Sequence, residues 1–103
     1  MRRAPFLVPA LLCFPGAAAR QDAWGRLLSI TAGGGELSTA ARLTAGDRVL
    51  VRFSLGGEDL ILAARVSRAE NDDDGHRLAE LRWIDMVERR RLSRVLLDVL
   101  SRA

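Results

Sequence analysis

The sequence contains no lysine and no tyrosine, and it has one histidine and one cysteine among 103 residues. Cys13 therefore cannot form an internal disulfide, and a lone thiol indicates a buried side chain in a reducing compartment. A zinc site needs several histidine or cysteine ligands, so His76 does not predict one. No nucleophile elbow and no pair of carboxylates at helix or strand spacing is present. We therefore expect no enzyme, no bound metal and no resident cofactor.

All 16 basic residues are arginine, and against 13 acidic residues they give a net charge of +3. Together with abundant Ala, Leu and Gly, this indicates a GC-rich bacterial genome. Arginine also suits planar and phosphate partners. A small basic barrel that binds RNA or DNA is thus an alternative, but no interleaving of aromatic and basic residues supports it. We expect no nucleic-acid partner.

The length of the chain is enough for one domain, residues 1–103, and no apolar run is long enough to span a bilayer. We therefore expect no membrane partner. The N-terminus has two interpretations. Residues 1–19 have the basic end, apolar middle and small residues of a secretory signal. Residues 6–14 are also typical of a first strand, preceded by an arginine tail at 1–5, and we favour the strand.

The middle of the chain predicts β-strands. Val49, Val51, Phe53 and Leu55 alternate with polar residues, a period of two that is typical of a half-buried antiparallel strand. Gly56 and Gly57 then predict a hairpin turn. The strands predicted in the barrel region, residues 6–84, are 6–14, 24–30, 36–38, 48–55, 60–68 and 76–83.

Helical spacing replaces this alternation near the C-terminus. Apolar residues recur every three or four positions within 85–101, so we expect an amphipathic helix there. Asp85 followed by Glu88 has the spacing of a capping box at its start. The fold class is therefore all-β, a six-stranded antiparallel barrel with a C-terminal amphipathic α-helix.

Three features have a structural and a functional interpretation. The acidic residues of 70–75 lack the spacing of a calcium loop and favour a solvated turn. Trp24 and Trp83 favour packing over stacking on a base. Residues 29–35, Ser-Ile-Thr-Ala-Gly-Gly-Gly, predict either a tight turn or a cradle for a phosphate-bearing ligand. The glycines there indicate positive φ or a close approach to the backbone.

The order of these features resembles the PilZ family, the bacterial receptor module for cyclic diguanylate. An arginine pair precedes the first strand, a hydroxyl and glycine turn follows the second, and Leu43 begins a Leu-x-x-Gly-Asp turn. An alternating hairpin and a closing helix complete the match, which covers nearly the whole chain. The resemblance implies a six-stranded barrel with a C-terminal helix, in agreement with the elements above.

The family has two ligand motifs, Arg-x-x-x-Arg before the first strand and Asp/Asn-x-Ser-x-x-Gly after the second. The second motif falls on residues 29–34, where Gly34 matches, Thr31 keeps a hydroxyl and Ser29 replaces the Asp or Asn. Neither Arg2 nor Arg3 has an arginine four residues later. By resemblance, the candidate ligand-binding residues are Arg2, Arg3, Ser29, Thr31, Gly33 and Gly34.

The resemblance implies two functions. The first is a cytoplasmic, nucleotide-binding module in second messenger signalling that binds cyclic diguanylate and acts by contact with an effector protein. The alternative is a degenerate PilZ-fold interaction module that does not bind the nucleotide, in motility, pilus or exopolysaccharide regulation. If residues 1–19 are a signal peptide, the protein is instead exported.

Overall fold

The computed structural model of the chain describes residues 7–16, 20–72 and 74–102. Within these residues, six strands form a closed antiparallel barrel in the order β1-β2-β3-β6-β5-β4. The elements are β1 (Val8–Cys13), β2 (Ala23–Ile30), β3 (Gly34–Thr39), β4 (Arg48–Leu55), β5 (Glu58–Asn71), β6 (Arg77–Trp83) and α1 (Met86–Arg102). The expected fold class is confirmed. The single-domain prediction and the arginine tail, residues 1–5, include positions outside the described residues.

The first strand closes the barrel by pairing with both β2 and β4. Val8, Ala10 and Leu12 on this strand are at most 3% exposed and belong to the core. The strand prediction for 6–14 is therefore confirmed over Val8–Cys13. Removal of residues 1–19 would remove β1, one of the six strands of the barrel. The candidate cleavage site at 17–19 lies outside the described residues.

The alternating faces of β4 and β5 fill the barrel interior, as their period of two predicts. The inward residues of β4 are buried from Val49 to Leu55, and those of β5 from Leu60 to Val66. Between the strands, Gly56 and Gly57 have φ of +60° and +81°, which is the two-residue hairpin geometry that requires glycine.

Two strands extend beyond their predicted bounds by two residues or more at one end. The third strand begins at Gly34 instead of residue 36, and β5 continues to Asn71 instead of ending at residue 68. A bulge between Val66 and Arg68 lets β5 bend and keep pairing with β6. The acidic turn is correspondingly shorter than 70–75. The Asp72 carboxylate accepts hydrogen bonds of 2.9 Å from the backbone N–H groups of Asp74 and His76, so it shapes this turn.

The C-terminal helix packs its apolar face on the barrel. Leu92, Val95 and Leu96 are buried, and Val99 packs against the core from a partly buried position. The helix begins as the Asp85 cap predicts, because Asp85 Oδ1 accepts a 2.9 Å hydrogen bond from the Glu88 N–H. The capping box is incomplete, however, since the Glu88 carboxylate instead accepts a 2.8 Å hydrogen bond from Ala63 N–H on β5. Glu88 therefore attaches the helix to the barrel.

Candidate site at the β2–β3 turn

The turn between β2 and β3 is closed by three hydrogen bonds between its first and last residues. Thr31 N–H donates to Gly34 O at 2.8 Å. The Thr31 hydroxyl donates to the same oxygen at 3.1 Å and accepts from Gly34 N–H at 3.2 Å. The hydroxyl that matches the family motif is therefore already engaged inside the turn.

Gly34 and Gly35 are needed for close packing, and none of the three glycines is needed for left-handed backbone. Among the described residues, positive φ occurs at other glycines and at none of residues 33–35. A Cβ built on Gly34 would lie 2.0 Å from Leu81 O on β6, and one on Gly35 would lie 2.7 Å from Ser29 O. A Cβ on Gly33 would meet nothing within 4 Å. Close backbone approach thus excludes a side chain at Gly34, while Gly33 lies in open space.

Trp83 at the end of β6 fastens the turn to the barrel. Its indole Nε1–H donates to Thr31 O at 3.0 Å, and its backbone N–H donates to Gly33 O at 3.1 Å. The indole is 2% exposed and stacks on Phe53, with ring centroids 6.3 Å apart. Trp83 therefore packs, as favoured from the sequence, and it holds the turn in one position.

The residues predicted for ligand binding differ in how much they face solvent. Ser29 and Thr31 are 5% and 9% exposed, and Gly34 is buried, while Gly33 is exposed. Arg2 and Arg3 lie outside the described residues. The structure brings Ser29, Thr31, Gly33 and Gly34 together at one turn because they follow one another along the chain. The first residue of β1, Val8, pairs with Leu27 shortly before this turn.

The Leu-x-x-Gly-Asp turn has a structural role that the sequence pattern alone did not reveal. Asp47 Oδ2 accepts a 3.0 Å hydrogen bond from Thr44 N–H, and it lies 3.6 Å from Arg20 Nη1. The Arg20 guanidinium also lies 3.7 Å from the centre of the Phe14 ring. Asp47 thus closes its own turn and ties it to the chain that follows β1.

An apolar groove lies on the outside of the barrel, and Trp24, which was expected to pack, lines it. Trp24 is 68% exposed, contrary to that expectation, because it occupies the outer face of β2. With Leu11, Ile61 and Val87 it lines a groove of about 820 Å³, bordered by Arg52. Apolar residues on the otherwise polar faces of strands are the sequence signal for this surface.

The free thiol belongs to Cys13, the last residue of β1. Burial raises the pKa of Cys13, and the nearby Asp22 carboxylate raises it further, while Arg52 opposes the effect. A raised pKa keeps the thiol protonated near neutral pH and lowers its reactivity. Cys13 is only partly buried, so the fully buried thiol expected from the sequence is not observed.

A family model described as PilZ domain matches residues 1–98. The chain belongs to the PilZ family. A similar solved structure is the PilZ domain of CeSA from a cellulose synthesizing bacterium, with 26% identity over 98% of this chain and 97% of the other, at a TM-score of 0.64. K. pneumonia MrkH in its apo state shares 15% identity and the same fold over 99% of this chain and 53% of its own, also at a TM-score of 0.64. A comparison with curated proteins gave no match.

PilZ domains are non-catalytic receptor or adaptor modules, generally for cyclic diguanylate, and many act through effector proteins. In the part of the chain that the structure describes, no three His, Cys, Asp or Glu side chains gather as a metal site would require. Nor does the helix described here have the length and apolar character needed to cross a membrane.

Proposed function

We propose that this PilZ protein binds cyclic diguanylate at the β2–β3 turn and passes the signal on by contact with an effector protein. The observation that carries the proposal is the position of the turn. It holds the residues that match the family motif, and it is locked to β6 by the two hydrogen bonds from Trp83. A rigid turn lowers the entropy lost when a ligand binds.

The ligand offers two phosphates and two guanine faces. Arg2 and Arg3 suit both, because a guanidinium forms paired hydrogen bonds with phosphate and with the O6 and N7 atoms of guanine. In this proposal Ser29 and Thr31 contribute hydroxyl groups, and Gly33 provides an open backbone surface over which the ligand can lie. None of these roles requires bond-making chemistry, so the module acts as a receptor and not as an enzyme.

The exposed groove around Trp24 is the best candidate for the effector contact. Tryptophan and arginine are enriched among residues that dominate binding energy at protein interfaces, and Trp24 and Arg52 border the same groove. A closed barrel has no free strand edge for an added strand. We therefore place the contact on this groove, and we place the protein in the cytoplasm, where the second messenger acts.

The second candidate is a PilZ module that does not bind the nucleotide. Two observations favour it: Ser29 is 5% exposed, and the Thr31 hydroxyl is engaged with Gly34. A missing charge-assisted hydrogen bond costs about 1–3 kcal/mol, so Ser29 in place of the family's Asp or Asn would weaken binding by about that amount. The similarity to a CeSA domain favours exopolysaccharide regulation among the settings for such an adaptor.

Isothermal titration of the purified chain with cyclic diguanylate tests the first candidate. We expect saturable heat at micromolar ligand, and no heat at high micromolar ligand would reject nucleotide binding. A variant that combines Ser29→Asp with an N-terminal extension placing an arginine four residues before Arg3 separates the two candidates. Binding that appears only in this variant would identify the natural chain as the silent adaptor.

A further inference from the structure

Three arginines lie side by side across neighbouring strands on the outside of the barrel. Arg48 of β4 pairs in register with Arg65 of β5, and Arg65 pairs with Arg82 of β6. Arg82 pairs in turn with Gly34, the first residue of β3. Neighbouring strands are about 4.8 Å apart, so the backbone positions of these arginines fall within about 10 Å. This arginine row (Arg48, Arg65 and Arg82) ends at the β2–β3 turn.

The arginine row places three positive charges next to one another on the surface of the barrel. All three side chains are exposed, and like charges directly opposite each other destabilise a sheet. Among the described residues, none of the three guanidinium groups makes a hydrogen bond or an ion pair, whereas the Arg68 side chain further along β5 lies 3.6 Å from the Glu70 carboxylate. Glu80 precedes Arg82 by two positions, but in the sheet register it lies opposite Arg68 and Glu36 and not opposite a member of the row. An anion placed over the row would relieve this repulsion.

The turn beside the row has few donors to offer an anion. The Gly34 N–H donates to the Thr31 hydroxyl, the hydroxyl donates to Gly34 O, and Ser29 is buried. Each guanidinium of the row has five N–H donors in a planar fork that matches the oxygens of a phosphate. The row therefore offers an anion more positive charge and more hydrogen-bond donors than the β2–β3 turn does.

We propose that the arginine row binds a phosphate group on the outer face of the barrel, beside the β2–β3 turn. Where the phosphate belongs to cyclic diguanylate, the inference rests on the proposed function, and the row supplies the guanidinium contacts that the turn lacks. The same chemistry would bind a free phosphate anion such as pyrophosphate. The two sources are distinguished by titrating each one separately.

The test is isothermal titration of the full chain with cyclic diguanylate and with pyrophosphate. The double variant Arg48→Gln with Arg65→Gln removes two charges from the row. Arg90→Gln with Arg94→Gln removes the same charge from exposed positions on α1 and serves as the matched control. We expect the row variant to weaken binding at least about tenfold, the equivalent of one net charge-assisted hydrogen bond, and the control to stay close to the wild type.

The outcomes separate this inference from the proposed function. Pyrophosphate binding that depends on the row, without nucleotide binding, supports the row and rejects cyclic diguanylate as the ligand. Nucleotide binding that is equally tight in the wild type and the row variant supports the proposed receptor function, but it refutes phosphate binding by the row. The row is also overturned if the wild type binds neither probe, or if the control loses as much affinity as the row variant.

Thermal unfolding gives a second, ligand-free measurement. Salt screens repulsion between exposed charges, so the row variant should unfold at the same or a higher temperature than the wild type in low salt. The difference should shrink as salt is added. A lower unfolding temperature for the row variant in low salt would mean that the arginines stabilise the barrel, and it would contradict the proposed role.

Discussion

Replacing Gly34 with alanine tests whether the glycine run serves the packing of the barrel. The new Cβ would lie 2.0 Å from Leu81 O and 3.1 Å from the Leu81 carbonyl carbon. Both atoms belong to the backbone of β6 and cannot rotate away, so β3 and β6 would have to separate. Gly33→Ala is the matched control, since its Cβ meets nothing within 4 Å and its φ is not positive.

The magnitude follows from the contact. Overpacking a well-filled site costs about 1–3 kcal/mol, and a clash with backbone falls at the upper end of that range. For a domain of this size, each kcal/mol lowers the unfolding temperature by about 4–8 °C. We therefore expect Gly34→Ala to lose about 12 °C or more. Gly33→Ala should be neutral or stabilising by up to about 1 kcal/mol, because alanine restricts the unfolded chain.

Circular dichroism during heating, with urea unfolding as a second measure, provides the assay. The packing role of Gly34 is refuted if Gly34→Ala unfolds at the wild-type temperature, or if Gly33→Ala is destabilised as strongly. Titration with cyclic diguanylate adds a functional comparison. A folded Gly33→Ala variant with weakened binding would show that the ligand needs the open surface at this position.

Three further predictions concern single side chains. Thr31→Val should destabilise the chain by about 1–2 kcal/mol through the lost hydroxyl bonds, with Thr31→Ser milder, as measured by urea unfolding. Glu88→Ala should cost about 1–2 kcal/mol because Ala63 N–H loses its acceptor; Glu88→Gln keeps an acceptor and should retain most of the stability, and equal losses would contradict this. Because the pKa of Cys13 is raised, the folded chain should react with iodoacetamide at pH 8 more slowly than the urea-unfolded chain, and equal rates would contradict a raised pKa.

Much of the fold can be predicted from the sequence because its signals are local. The alternation that starts at Val49 reports which side chains of β4 face the core, and the change to helical spacing reports the helix that buries Leu92 and Val95. The pairing of β3 with β6 is not local. No period in either strand identifies its partner, so this part of the barrel was expected only through the resemblance to PilZ domains.

Features that depend on stagger between strands were not predictable from the sequence. Arg48, Arg65 and Arg82 are spaced 17 residues apart along the chain, and only the register of β4, β5 and β6 aligns them. The exposure of Trp24 has a similar origin. A tryptophan in a strand favours burial, but the strand alone does not define which face is inside when glycine occupies the neighbouring position at Gly25.

Some residues that match the family motif are required by the barrel, and others bear on ligand binding. Thr31 and Gly34 match positions that the barrel itself requires, since the hydroxyl closes the turn and Leu81 O leaves no space for a Cβ. These residues would be needed in a PilZ domain that has lost its ligand, so their presence supports the fold more than nucleotide binding. Ser29 is the motif position whose chemistry differs most from the family pattern. The Ser29→Asp variant with the added upstream arginine is therefore the more informative test of binding than any change at Thr31 or Gly34.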